Sequence, residues 1–230
     1  MFSLDDPIVI TIDGPAGTGK SSVARALAMR LGLDFLDTGA MYRAAATIAL
    51  DSGIPISDAA TLVEKVKNAD IHFDWSKDPP AVLAWGKPIN SRIREADVTA
   101  VVSPIAGISA LRQHMVAKQR IIARQHPRLV SEGRDQGSVV FPDARVKFYL
   151  DASAAVRAAR RAQQLRDAGQ SADEAKLLQD ILERDQSDMG RIDGPLVRPQ
   201  GGIVLDTSGL DFVEVLEALE RIVLEKAKEP

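Results

Sequence analysis

The sequence predicts an α/β fold: a mostly parallel sheet with helices on both faces. Three observations carry this. Short, almost unbroken apolar runs stand at residues 8–12 and 146–152, the character of strands buried on both faces. Stretches of helical periodicity alternate with these runs, as βα units require. The third is the segment IVITIDGPAGTGKSS, residues 8–22, where a glycine-rich turn joins the first strand to a helix.

In that turn Gly14 is followed by four residues and then Gly19-Lys20-Ser21. The spacing is that of a phosphate-binding loop, or P-loop. Glycines let backbone N–H groups wrap an anion, and the helix behind them presents its positive end to the same charge. Gly14, Pro15, Ala16, Gly17, Thr18, Gly19, Lys20, Ser21 and Ser22 are the candidate nucleotide cradle. Lys20 is expected to reach the β and γ phosphates of ATP, with the Ser21 hydroxyl on Mg²⁺.

The remaining elements follow in order. A helix is expected from Ser21 to about Leu31, with Val23, Leu27 and Leu31 on one face and Gly32 as its stop. Residues 33–38 read as a second strand, and residues 40–50 and 58–69 as helices. The pattern then changes to short alternating runs around Asp78-Pro79-Pro80, which predicts an antiparallel insert over about 68–95 with Trp75 and Trp85 packed across it. A long helix is expected to follow Pro104, through about Gln125. After the strand at 146–152, helices over 154–168 and 172–186 form a hairpin about Gly169-Gln170-Ser171. A strand at 202–207 and a helix over 210–226 end the chain.

Composition narrows the function. Of the 230 residues, 45% are hydrophobic and 27% charged, which excludes a disordered chain. The net charge of −3 speaks against nucleic acid or an anionic membrane as partner. No cysteine is present, so thiolate metal sites and cysteine nucleophiles are excluded, and His72, His114 and His126 have no metal-ligand spacing. The opening MFSLDDPIVI has no basic segment ahead of a long apolar core, and a cytoplasmic location is expected.

Arginines supply the second signal. Arg157, Arg160 and Arg161 share one helical face, and Arg184, Asp188 and Arg191 are spaced for another. On a helical hairpin beside a phosphate loop they suggest a lid that closes over phosphates and excludes water. Arg43 in DTGAMYR and Arg134 in EGRDQG fall near strand ends, where open α/β sheets bind ligands. Asp13, Asp37 and Asp151 lie at strand ends too, and either assist Mg²⁺ through water or cap turns.

With LDTGAMYR, VSPIAGISALRQHMVAKQR, EGRDQGSVVFPDA, KFYLDAS and RDQSDMGR, the chain resembles bacterial cytidylate kinases over nearly its whole length. The resemblance implies a single domain, 1–230. Its core would cover about 1–55, 96–152 and 192–230, with an acceptor-binding insert at about 56–95 and a lid at about 153–191. It implies transfer of the ATP γ-phosphoryl to CMP or dCMP by a chain expected to be monomeric. Thr38, Arg43, Arg134 and Arg191 would then hold the acceptor phosphate. Ser103, Arg112 and Asp135 would read the base, Arg184 and Asp188 would contact the sugar, and Arg157, Arg160 and Arg161 would cover ATP. Lys20 and the arginines would be the catalytic apparatus. Gln136 stands where the family usually carries an apolar residue. The rival readings are another small-acceptor kinase, such as a shikimate kinase, and a regulator that holds ATP without turnover.

Overall fold

A computed structural model describes residues 3–228. Strand β1 (Ile8–Asp13) leads through the glycine-rich loop to α1 (Lys20–Leu31), β2 (Asp34–Asp37), α2 (Thr38–Asp51) and α3 (Ala59–Ala69). Three short strands follow, β3 (His72–Asp74), β4 (Ala81–Ala84) and β5 (Lys87–Pro88), and then α4 (Ala96–Ala106) and α5 (Ser109–Gln125). The rest is β6 (Arg128–Gly133), β7 (Val146–Asp151), α6 (Ala154–Asp167), α7 (Glu174–Met189), β8 (Ile203–Asp206) and α8 (Phe212–Lys228).

The central sheet has the order β2-β6-β1-β7-β8, parallel at every pairing. Burial on both faces explains why its strands read as apolar runs: Ile10, Ile12, Leu129, Val130, Phe148 and Leu150 are all fully buried. Adjacent residues of β2 and β6 serve different cores. Leu36 and Leu129 join α2, α3, the small sheet, α4 and α5 in one, while Phe35 and Val130 join α1 and α8 in the other. The register sets Asp13 beside Gly133 and Tyr149, and Asp37 beside Glu132. The phosphate loop, the start of α2 and the turn after β6 therefore gather at one edge of the sheet.

Caps fix several of these helices locally. Asp37 accepts the Ala40 N–H at 2.9 Å, and Asp211 and Glu214 cap one another's backbone N–H at 2.9 and 2.8 Å. After β6 the chain makes a wide π-turn over Gln136–Val140, with Phe141 N–H bonded to Gln136 O at 2.7 Å.

Two expectations need correction. The long helix expected after Pro104 begins only at Ser109, as α5, and Pro104 instead lies inside the last turn of an unforeseen helix, α4. Pro104 forfeits the bond to the Ala100 carbonyl in the preceding turn, and burial of Val98, Val102 and Ile105 in the first core holds the segment helical despite that loss. The antiparallel sheet β3-β4-β5 is present, but Trp75 and Trp85 do not pack across it. Trp75 stacks on His126, ring centroids 3.8 Å apart, whereas Trp85 sits in the β4–β5 turn at φ 50°, about half exposed, with Lys65 over its ring.

Candidate active site

The phosphate loop is shaped by backbone that side chains resist: Gly17 and Gly19 have φ of 83° and 85°. Lys20 opens α1 and is buried, its Nζ donating to Pro15 O at 2.6 Å. Burial, and next the charge of Arg134, push its pKa down to about 7. An ammonium so placed gains from a phosphate dianion. Ser21 Oγ donates to Glu132 Oε1 at 2.6 Å.

The strand-end aspartates take the capping role. Asp13 accepts the N–H groups of Gln136 and Gly137, both at 2.7 Å, and Asp151 accepts that of Ala152 at 2.9 Å. Asp37 caps α2. Burial pushes Asp13 up to about 7; burial and then the neighbouring Glu132 do the same to Asp37. Among the described residues no three His, Asp or Glu side chains are arranged to hold a metal by themselves.

A cleft of about 620 Å³ spreads from the loop to α6, α7 and the β8–α8 turn. Seven basic side chains face it against four acidic ones, so the cleft attracts anions. Its arginines are held differently. Arg157 is buried and donates to Asp185 at 2.6 and 3.1 Å, to Ala152 O at 2.9 Å and to Ala16 O at 3.0 Å, bracing the loop from behind. Arg160 donates to Thr207 O at 2.5 Å and Leu210 O at 3.2 Å, which ties α6 to the turn before α8. Among the described residues Arg161 makes a long hydrogen bond, of 3.5 Å, to the neighbouring Gln164. Arg43 lines the same cleft and donates to Thr99 Oγ1 at 2.8 Å and Ile93 O at 3.2 Å.

A second cavity of about 60 Å³ lies alongside and brings together Thr38, Ser103, Arg112, Arg134, Asp135, Arg184, Asp188 and Arg191. Arg134 and Arg184 line both spaces. Asp188 is the hub. Its carboxylate accepts from Arg134 Nε at 2.9 Å, Arg191 Nη2 at 2.5 Å and Ser103 Oγ at 3.1 Å. Burial by itself raises Asp188, but Arg134, Arg191 and Arg184 outweigh that and hold it below the usual carboxylate range. Burial, then Arg134, lowers Arg184 to about 10, and its Nε has no hydrogen-bond partner among the described residues. Thr38 Oγ1 donates to Glu132 O at 2.7 Å. Farther in, Arg112 and Asp135 form a buried ion pair, with Arg112 also donating to Ala106 O at 3.1 Å. Burial pushes Asp135 up despite that partner.

Four contributors are not apparent from the sequence. The Tyr42 ring lies under the Arg112 guanidinium, 5.4 Å from its centroid. Glu132 receives the Ser21 hydroxyl. Gln136 is fully buried behind Asp135. Gly194, at φ 60°, passes so close that a Cβ there would collide with Arg112 and Asp135. Two of them carried a signal: Gln136 as a polar residue in an apolar place, and Glu132 where the family often has Asp or another small residue. Gly133 and Gly137 serve close packing, since a Cβ on them would meet Thr38 Oγ1 or Thr11 Oγ1 at 2.7 Å.

The cytidylate kinase family pattern matches residues 10–225. The chain belongs to the cytidylate kinase family. It is 41% identical to a cytidylate kinase of Nocardia farcinica, covering 98% of this chain and 97% of that one. It is 44% identical to a cytidylate kinase of Symbiobacterium thermophilum, covering 93% and 95%. Among solved structures, an uncharacterized protein from Eubacterium ventriosum is similar in fold at a TM-score of 0.50 and 11% identity, over 96% of this chain and 98% of that one. No helix of this cytidylate kinase family member, among the described residues, is long and apolar enough to cross a membrane.

Proposed function

We propose that the chain phosphorylates CMP and dCMP with ATP by direct phosphoryl transfer. The observation that carries this is the junction of the two cavities: Arg134 and Arg184 face both, so a donor on one side and an acceptor on the other would meet between the same cations. ATP occupies the larger cleft, its phosphates in the loop from Gly14 to Ser22 against Lys20, with Arg160 and Arg161 over it and Arg157 keeping the loop in shape. The Ser21 hydroxyl and the Glu132 carboxylate beside it would hold Mg²⁺ against the nucleotide, and the ion would supply charge neutralisation on the phosphates.

The nucleoside monophosphate binds at the smaller cavity, which at about 60 Å³ must widen to admit it. Thr38, Arg134 and Arg191 hold its phosphate, with Arg43 reaching it from the larger cleft; Arg184 and Asp188 hold its sugar, and Ser103, Arg112 and Asp135 its base. Cytosine offers a donor at its exocyclic amine and an acceptor at N3, and uracil offers the reverse. An ionised Asp135 accepts from the amine, Arg112 donates to N3, and neither reverses its role for uracil. No general base is needed, because the attacking phosphate oxygen is ionised at neutral pH; alignment and cationic neutralisation do the work.

The test is ADP release from Mg-ATP with CMP, dCMP, UMP, AMP and shikimate offered separately. Turnover with CMP and dCMP is expected, lost in Lys20→Ala with the fold retained. Shikimate turnover alone would replace the acceptor reading, and silence with all five would leave a nucleotide-holding regulator.

A further inference from the structure

We propose that Gln136, seconded by Gln119, is a positioning residue that holds Asp135 as a hydrogen-bond acceptor and so sharpens this chain's choice of cytosine over uracil. The inference rests on the base-reading role given above to Arg112 and Asp135.

The Gln136 side chain is fully buried and every polar atom of it is engaged. Its Oε1 accepts from Ser131 Oγ at 2.8 Å. That bond leaves Nε2 as the end facing the site, and its two protons go to Gln119 Oε1 at 3.2 Å and Asp135 Oδ1 at 3.4 Å. The backbone is pinned as well, because Gln136 N–H donates to Asp13 Oδ1 at 2.7 Å at the start of the π-turn. Asp135 is thus held from two sides, with Arg112 on Oδ2 and the amide on Oδ1.

An amide can only donate through nitrogen, so this contact suits a carboxylate and opposes rotation of the group. The distinction matters here. Burial favours the neutral acid, whose O–H would be a donor matched to the uracil carbonyl; the Gln136 hydrogen bond works with Arg112 against that outcome. Gln119 extends the frame to the other arm of the pair. It is fully buried on α5, about two turns beyond Arg112 and so on the same face, and its amide neighbours the Tyr42 hydroxyl, whose ring carries the Arg112 guanidinium. Among the described residues every polar atom of the Gln136 amide is met, whereas Gln119 Nε2 and the Tyr42 hydroxyl are buried without a hydrogen-bond partner, so the frame is closed at Gln136.

The experiment compares kcat/KM for CMP and UMP in wild type, Gln136→Met, Gln119→Met and Asp135→Asn. Methionine keeps length and burial but removes the amide. For Gln136→Met we expect KM for CMP to rise about tenfold, the scale of one lost hydrogen bond to a charged group. Its kcat and the KM for ATP should stay within about twofold, and UMP turnover should not fall, so the CMP/UMP ratio drops about tenfold. Gln119→Met should move the ratio in the same direction, and it carries the test alone should Gln136→Met not fold. Equal losses for both acceptors, or an unchanged ratio, would overturn the inference. Asp135→Asn separates the two levels. Its collapse of the ratio beside unchanged glutamine variants removes only the positioning role, whereas an unchanged ratio in Asp135→Asn removes base reading and this inference together.

Discussion

Replacing Asp188 by Asn tests the electrostatic design of the acceptor cavity. The carboxylate is buried to 1% exposure and accepts from two arginines and a serine, with Arg184 close enough to lower its pKa further. Asparagine keeps one acceptor oxygen but turns an NH₂ toward arginine donors and leaves their charges unanswered. Breaking one partner out of a buried ion pair costs about 3–5 kcal/mol. In a chain of this length each kcal/mol moves Tm by about 2–4 °C, so Asp188→Asn should melt roughly 6–20 °C below wild type at pH 7. Thermal melts followed by circular dichroism measure this. Adding sulfate, with sodium chloride at equal ionic strength as control, should stabilise the variant more than wild type, because the dianion answers the same arginines. The sign with pH follows from the depressed pKa. The carboxylate stabilises the fold above its unfolded value near 3.9, and the effect is lost as pH falls through the lower folded value, so the two proteins should converge only in acid below the ordinary carboxylate range. A Tm difference under about 3 °C at pH 7, with no sulfate preference, would refute the reasoning.

Gly194→Ala should lower kcat/KM for CMP at least about tenfold with the KM for ATP unchanged, since the new methyl lands on the Arg112–Asp135 pair; equal kinetics would mean the backbone yields there. Nucleotide binding should take up protons at pH 7.5, because phosphates restore charge to Lys20, whose pKa is pushed down to about 7. Calorimetry in two buffers of different ionisation enthalpy reads this uptake, which should vanish in Lys20→Met. Arg160→Ala should reduce kcat and raise the KM for ATP as the turn before α8 loses its anchor; a change in CMP affinity alone would move Arg160 to the acceptor side. By contrast, Arg25→Ala breaks an exposed pair with Asp78 and should cost under about 1 kcal/mol by urea denaturation.

What the sequence disclosed was local. The phosphate loop needs a few residues in fixed order, and the buried strands carry their burial as composition, so both were legible. Helix α4 was not, because Pro104 reads as the entry to a helix and only tertiary packing of Val98, Val102 and Ile105 shows it closing one. The Trp75–His126 stack joins residues far apart in the chain, and no pattern in the insert reveals it. The arginines declared themselves by spacing, but their partners did not. Arg134 finds Asp188 across 54 positions and Arg157 finds Asp185 across 28, and such pairings decide which cations are already answered. Gly194 is the extreme case, a residue whose importance is the space it leaves.

The two hydrophobic cores have an evolutionary consequence. The α1 helix behind the phosphate loop rests on one core, and α2, α4 and α5, which carry Tyr42, Ser103 and Arg112, rest on the other. The sheet divides them residue by residue, as Leu129 and Val130 do on β6. Repacking at Leu62 or Met115 and repacking at Leu27 or Leu219 therefore perturb separate neighbourhoods, and their effects should add. A lineage built this way can drift in what it accepts while inheriting intact how it grips its donor.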